Sequence, residues 1–396
     1  MKILMVTPYV PYPPSSGGQI RTFNLLKYLS KRNYIVLVAL YKKDSEKEYL
    51  SALKQYCDEV YLCKRPEKPW QLKTILKALF TLKPFLIARN FSHEAQHTIE
   101  QLLKDEKFDV IHSETFYVMP HLPATKTPVF LVEQTIEFEV YQHFVDSLPF
   151  ILRPILYIDI LKLRYWEKFY WKRATLMATV SNTDRDTVMK VAPELDPVVI
   201  PNGAGEDMVI ERLGKKPLNQ LKLLFQGNFS WLQNVEAAEF LINSVYPTLR
   251  KNFPHMQLII AGQHAKKIKR SHPEISIVEI PIHDTQTVIK LYKEAYLFIA
   301  PIFGPGGTRL KLLAAMACGL PIISTKTGVS GLDVTDGENV LLANTPDEFA
   351  SQIRKIIEDK DLYNSLRESA HTLILKKYSW KVIAKELENT YLKIKP

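Results

Sequence analysis

The stretch Gly304–Thr325 reads GPGGTRLKLLAAMACGLPIIST and sets Arg309 and Lys311 in a glycine-rich turn that runs into an apolar helix. Positive charge at a helix start opposes the helix dipole, so the pair costs stability unless an anion sits there. Arg309 brings a two-pronged donor and Lys311 a point charge, a combination suited to phosphate. Gly306 and Gly307 leave room for close backbone approach, and Thr308 can cap the helix. The turn SSGGQ (Ser15–Gln19) places Gly17 and Gly18 between an apolar strand and a helix, where N–H groups favour an anion. GNFSWLQN (Gly227–Asn234) and IPNGAG (Ile200–Gly205) are two further turns of this kind. Phosphate binding at helix N-termini is the chemistry these spacings suggest.

The elements that must position such turns alternate along the chain. KILMVT (Lys2–Thr7), IVLVAL (Ile35–Leu40), FDVIHS (Phe108–Ser113), PVFLVE (Pro128–Glu133), TLMATVS (Thr175–Ser181) and PVVIPN (Pro197–Asn202) read as buried strands. Helical periodicity fills Gln19–Lys31, and the Tyr- and Trp-rich Ile151–Ala174 reads as a helix whose aromatic stripe packs internally. After a linker at Gly203–Asn219 a second series begins: LKLLFQGN, a helix over Val235–Asn252, MQLIIAG and YLFIAP (Tyr296–Pro301). Strands alternating with helices give an α/β chain of parallel sheets, doubly wound, in two Rossmann-like halves. Ligands of such sheets bind beyond the C-terminal strand ends, here the loops after Thr7, Ile111, Phe225 and Ala300.

Bulk properties narrow the partners. A chain of 396 residues, 46% hydrophobic and 24% charged, reads as a soluble globular protein of two domains. No apolar run reaches the ~18–20 residues of a membrane span, and MKILMVTPYV lacks the form of a secretory signal. Cys57, Cys63 and Cys318 match no metal spacing and read as reduced thiols, so a cytoplasmic location is expected. The net charge of +10 is spread along the chain with no nucleic-acid module, which points away from nucleic acid and towards phosphorylated ligands or an anionic membrane surface. Lys64–Arg89 is the densest basic segment and mixes lysines with Trp70, Phe80 and Phe85. A helix there would be either a solvated one with an ordinary core face or an amphipathic one resting peripherally on the inner face of the cell membrane.

Read together, KILMVTPYVPYPPSSGGQIR, DVIHSE, TVSNTDRD, VVIPNGA, LLFQGNFSWLQNVEA, LIIAG and APIFGPGGTRLKLLAAMACGLPIIST resemble a family 4 glycosyltransferase, in a subgroup with a GGTRLK-type turn. The resemblance implies a retaining enzyme of the GT-B fold, two Rossmann-like domains facing a central cleft. Residues 1–203 would form the acceptor-side domain and 204–378 the nucleotide-sugar donor domain. YSWKVIAKELENTY resembles the family's last helix, so residues 379–396 would pack back on the first domain. A sugar would pass from a nucleotide-diphosphate donor to a polysaccharide or lipid-linked glycan acceptor, with no metal and no other cofactor.

By the same resemblance Gly17 and Gly18 approach the donor sugar. Gly227, Asn228 and the turn Gly307, Thr308, Arg309, Leu310 and Lys311 hold the nucleotide diphosphate. His112 and Glu114 stand at the His-x-His positions and would position sugar or acceptor as the catalytic pair. The chain departs from the family where Gly306 and Ala314 replace its two glutamates, and where Ser230–Asn234 lack its usual cations. Those departures motivate the alternative of an inactive GT-B subunit that binds glycan or a partner transferase. Asp184-Arg185-Asp186 spells a DxD triplet, but Ser181 or Asn182 before it reads as a helix cap, with acids suited to the first turn.

Overall fold

The computed structural model describes residues 1–68, 71–210, 213–214, 221–269, 272–282, 284–304 and 308–395. The chain divides into two units: Met1–Pro201 with Ile383–Pro396, and Asn202–Val382. Each is built on one parallel sheet, and together they give the two Rossmann-like halves of a GT-B chain.

In unit 1 the strands are β1 (Lys2–Thr7), β2 (Tyr34–Tyr41), β3 (Glu59–Lys64), β4 (Val110–Glu114), β5 (Val129–Glu133), β6 (Leu176–Thr179) and β7 (Val198–Val199). They lie in the order β3-β2-β1-β4-β5-β6-β7, all parallel, with Met5 opposite His112. Unit 2 has β8 (Lys222–Gln226), β9 (Gln257–Gly262), β10 (Ile275–Glu279), β11 (Leu297–Ala300), β12 (Ile322–Ser324) and β13 (Leu341–Leu342). Their order is β10-β9-β8-β11-β12-β13, again all parallel. Strand order therefore reverses between β1 and β4 and between β8 and β11. Those switch points open the crevices in which such sheets bind ligands.

Helices cover both faces of each sheet, so the strands are apolar along their whole length instead of alternating. Leu4, Val6, Val36 and Ile111 are closed to solvent in unit 1, as are Leu224, Phe225, Ile260 and Phe298 in unit 2. Burial of each such side chain contributes about 1.5–3 kcal/mol.

Two helices depart from a simple reading. The one that begins at Leu232 runs to Phe240, widens into a π turn at Leu241–Val245 and resumes over Tyr246–Arg250. Pro247 lacks an N–H and its ring would crowd the preceding turn, which the wider turn relieves. The C-terminal helix Trp380–Ile394 crosses the division between the units. Within unit 1 it buries Ile383, Leu387 and Tyr391 at four-residue spacing and pairs Glu388 with Asn33 at 2.7 Å, and Lys395 just after it pairs with Asp109 at 3.0 Å.

Candidate functional site

Unit 2 gathers its sequence-predicted residues at the β8/β11 switch point. β8 ends in Gln226, and Gly227 continues by donating to Ala261 O at 3.0 Å. Gly262, beside it, has φ +140°, and a Cβ there would lie 1.8 Å from Gly227 O, so only glycine fits. A Cβ on Gly227 would lie 2.9 Å from Asn234 Cγ and 3.0 Å from Lys311 Nζ. Asn228 shapes the loop: its Oδ1 accepts from Ser230 N at 2.9 Å and its Nδ2 donates to Gln263 Oε1 at 3.0 Å. Asn234 Nδ2 donates to Asn228 O at 2.7 Å, and its Oδ1 accepts from Lys311 Nζ at 2.5 Å.

Lys311 reaches this loop from the helix Leu310–Ala317, which follows β11 and carries no acid in its first turn. Its ammonium lies over the Phe225 ring, 4.8 Å from the centroid. Burial, and then the charge of Arg309, bring the ammonium down to about 7, and no acid opposes the shift. Arg309 is the cap residue of the same helix, and its Nη2 donates to Gly304 O at 2.8 Å. Thr308 is buried, while Leu310 and Ala314 pack against the unit 2 core. Gly306 and Gly307 lie outside the described residues. Lys311 thus brings its ammonium to the loop containing Ser230–Asn234, which carries no cation of its own.

Unit 1 brings His112 and Glu114 to the β1/β4 switch point, at the end of β4. Both side chains are fully buried. His112 Nε2 meets Glu114 Oε1 at 2.9 Å, and its Nδ1 meets the Tyr391 hydroxyl of the C-terminal helix. Arg21 Nε stands 3.6 Å from Glu114 Oε1, and its Nη1 donates to Ile200 O at 3.1 Å and Pro201 O at 2.9 Å. Gln134 Nε2 donates to Glu114 Oε2 and, at 2.9 Å, to the Tyr9 hydroxyl, which meets Thr22 Oγ1 at 3.1 Å. Burial works to raise the Glu114 carboxyl, yet His112, Arg21 and Gln134 together hold it below its ordinary value. Burial drives the Tyr9 and Tyr391 hydroxyls well above theirs.

Gly17 opens the helix Gly17–Leu29 and is exposed, with no acid in the first turn. A Cβ on Gly18 would lie 2.5 Å from the Tyr9 hydroxyl. Gly18 is therefore required by Tyr9 alone.

A group missed by sequence reading lies at the other strand ends. Lys42 and Arg65 follow β2 and β3 directly, joined by Arg65 N donating to Tyr41 O at 2.9 Å. Arg65 Nη1 donates to the Asn90 side chain, next to Arg89 in the helix Phe85–Asn90. The Nε atoms of Arg65 and Arg89 are buried and make no hydrogen bond among the described residues. Lys42 is exposed to solvent beside them, and burial with Arg89 brings Arg65 down to about 10. Glu137 is near Arg89, but burial pushes its carboxyl up to about 7. The visible signal was a basic residue immediately after each of two adjacent strands.

Asp184-Arg185-Asp186 is a helix start, as its sequence suggests. Ser181 Oγ accepts from Asp184 N at 3.0 Å at the head of the helix Asn182–Val191, and Arg185 pairs with Asp196. No group of three His, Cys, Asp or Glu residues that could hold a metal occurs among the described residues.

Residues 220–359, most of unit 2, match the family model described as Glycosyl transferases group 1. Over 397 aligned positions the chain is 23% identical to an uncharacterized protein of the cps region of Klebsiella pneumoniae, covering 96% of this chain and 97% of that one. It is 24% identical over 220 residues to the D-inositol 3-phosphate glycosyltransferase of Corynebacterium jeikeium, 50% of this chain and 52% of the relative. Among solved structures, HepE of Anabaena in complex with UDP aligns with TM-score 0.67 at 14% identity, over 99% of this chain and 100% of that one. The sucrose-phosphate synthase of Thermosynechococcus elongatus aligns with TM-score 0.71 at 15% identity, over 100% and 99%. The chain therefore has the GT-B fold along its length and the glycosyl transferases group 1 pattern from residue 220 to residue 359.

Proposed function

We propose that this protein is a retaining, metal-independent glycosyltransferase that moves a sugar from a nucleoside-diphosphate donor to a hydroxyl of a glycan or lipid-linked acceptor. The observation that carries the reading is Lys311, a half-buried cation with an amide and an aromatic face around it and no acidic partner among the described residues. A diphosphate is the counter-ion that makes such a site favourable. Arg309, at the helix start, is the second cation, and Gly227 lets the backbone of the β8 loop lie directly against Lys311 Nζ and Asn234. UDP is the first nucleotide to test, since the HepE structures hold UDP and UDP-glucose.

In this reaction the acceptor oxygen bonds to the anomeric carbon as the bond from that carbon to the diphosphate breaks. The departing phosphate oxygen takes the electron pair, and the acceptor's proton passes to it on the same face. Lys311 and Arg309 stabilise the charge that develops there, the kind of preorganised term that dominates many transfers. His112 and Glu114 act as positioning residues: enclosed with Tyr391, Arg21 and Gln134, they fix the β4 end and the Tyr9 hydroxyl above Gly18. Lys42, Arg65 and Arg89 give the acceptor an anionic group to present, a phosphate or a carboxylate, at the C-terminal ends of β2 and β3.

Titration of UDP, GDP, ADP and CMP into the purified chain tests the donor site. One nucleotide should bind and lose affinity in Arg309→Ala. Turnover of the matching nucleotide sugar separates the enzyme from an inactive binding subunit. For the acceptor end, Arg65→Ala should raise acceptor KM by about tenfold while leaving nucleotide affinity unchanged. An unchanged KM would remove the cation group from the acceptor's path.

A further inference from the structure

The helix Arg153–Arg173 has two apolar sides, and only one is covered. Ile160, Leu163, Tyr170 and Trp171 are buried against unit 1. Ile155, Ile158, Leu161 and Tyr165, spaced by three and four residues, form a second stripe that is open to solvent. The stripe is extended at its start by Phe150 and Ile151, 81% and 82% exposed in a 3-10 turn. Alongside lies the helix Leu72–Phe80 and the turn after it, with Phe80 83% and Leu82 82% exposed. The two segments are tied edge to edge: Lys162 Nζ donates to Ala78 O at 2.8 Å and Thr81 O at 2.9 Å, and Trp166 Nε1 to Leu82 O at 2.8 Å. Their exposed side chains therefore form one patch and not scattered singles, and a patch of that size marks an interaction surface.

Charge surrounds this patch with one sign. The stretch 68–83, clear of the Arg65 and Arg89 group, contains four basic residues and no acid, and Phe150–Arg173 contains six against Asp159 and Glu167. Neither of the latter two faces outward in balance: Asp159 accepts from Phe85 N at 3.0 Å and Glu167 is fully buried, accepting from Glu137 N and Phe138 N. Asp146, at the near end of the preceding helix, takes the Tyr157 hydroxyl. Apolar tips within a cationic rim match the boundary between headgroups and acyl chains of an anionic leaflet. A second copy of the chain fits less well, because a symmetric contact would set the two basic rims against each other. Among the described residues no helix is long and apolar enough to cross a membrane, so the contact is one of lying on the surface.

We propose that unit 1 docks through this face on an anionic lipid bilayer, with Phe80, Leu82, Phe150 and Ile151 inserted at the headgroup level. The inference stands on the exposed surface and does not depend on the transferase reading. Sedimentation with vesicles of phosphatidylglycerol and phosphatidylethanolamine, against vesicles of phosphatidylcholine alone, tests it. The intact protein should sediment with the anionic vesicles only, and less at high salt. Phe150→Glu with Ile151→Glu, and separately Phe80→Glu with Leu82→Glu, should each lower the bound fraction by roughly tenfold or more. All four positions are exposed, so melting temperature and nucleotide affinity should stay as in the parent, which separates lost docking from lost folding. A parent protein that stays in the supernatant would overturn the proposal, as would double variants that sediment like the parent. A dimer in light scattering that the same variants dissociate, without vesicle binding, would assign the patch to a second copy instead.

Discussion

Lys311 Nζ lies 2.5 Å from Asn234 Oδ1, which joins the helix after β11 to the loop after β8. Asn234 in turn holds Asn228 O at 2.7 Å, so one ammonium organises the whole turn around Gly227. Partial desolvation of the ammonium costs stability, which an anion bound beside it would offset.

That balance predicts opposite effects on stability and binding. Lys311→Met replaces the half-buried charge with an apolar side chain of similar length and should stabilise the nucleotide-free protein by about 1–4 kcal/mol. The same substitution should abolish diphosphate binding. Thermal melts with and without UDP measure both, and a destabilised empty protein would show that the ammonium has a structural counter-ion.

The position of the Lys311 pKa, about 7 in the folded chain against an ordinary 10.5, fixes a pH dependence. Between those values the unfolded chain binds more protons than the folded one, so stability of the empty protein rises with pH through that window. Nucleotide binding favours the charged form. Affinity for UDP should therefore be flat below about pH 7 and fall above it, by up to about tenfold per unit, with proton uptake on binding. Calorimetry in buffers of different ionisation heat reads that uptake, and Lys311→Ala should lack it.

The two glycines at the switch point should respond differently. Gly262→Ala places a Cβ 1.8 Å from backbone, at φ +140°, and should destabilise unit 2 by more than about 2 kcal/mol. Gly227→Ala meets only the ends of Asn234 and Lys311, which can shift. It should fold with a loss under about 1 kcal/mol while weakening UDP roughly tenfold by moving the ammonium. Denaturant melts and titrations on the pair separate the outcomes.

In unit 1, Glu114→Gln leaves Arg21 buried beside a neutral amide and should cost about 3–5 kcal/mol at neutral pH. The folded carboxyl titrates below its ordinary 4.5, so this contribution is present above that pH and lost as pH falls through the folded value. Parent and variant melting curves should converge in acid. Tyr391→Phe removes only the hydroxyl on His112 and should cost about 1 kcal/mol, with KM for donor unchanged.

The sheets are legible because both their faces are covered, which gives strands such as Lys2–Thr7 and Lys222–Gln226 continuous apolar centres, Ile3–Val6 and Leu223–Phe225. β3 and β10 are hard to read for the opposite reason: EVYLCK and ISIVE are the edge strands of their sheets, and all but one residue of each keeps some exposure. Gly227, Asn228, Arg309 and Lys311 were each visible as turn residues beside a strand end. Their meeting through Asn234 was not, since it needs the β8/β11 pairing that only the fold provides. The enclosure of His112 and Glu114 by Tyr391 likewise depends on a contact across 279 residues of chain. The aromatic helix Arg153–Arg173 was read as packing, and its inner side does pack. Periodicity could not reveal the open outer stripe, because apolar residues recur on two sides of this helix and the sequence does not say which side is covered.

The central claim is that Lys311 and Arg309 form a diphosphate site, and calorimetric titration of UDP into the parent chain, Lys311→Ala and Arg309→Ala tests it most directly. Saturable binding by the parent, weakened roughly 10²–10³-fold in either variant, is the predicted result. Equal affinity in all three proteins would place the nucleotide elsewhere and contradict the account.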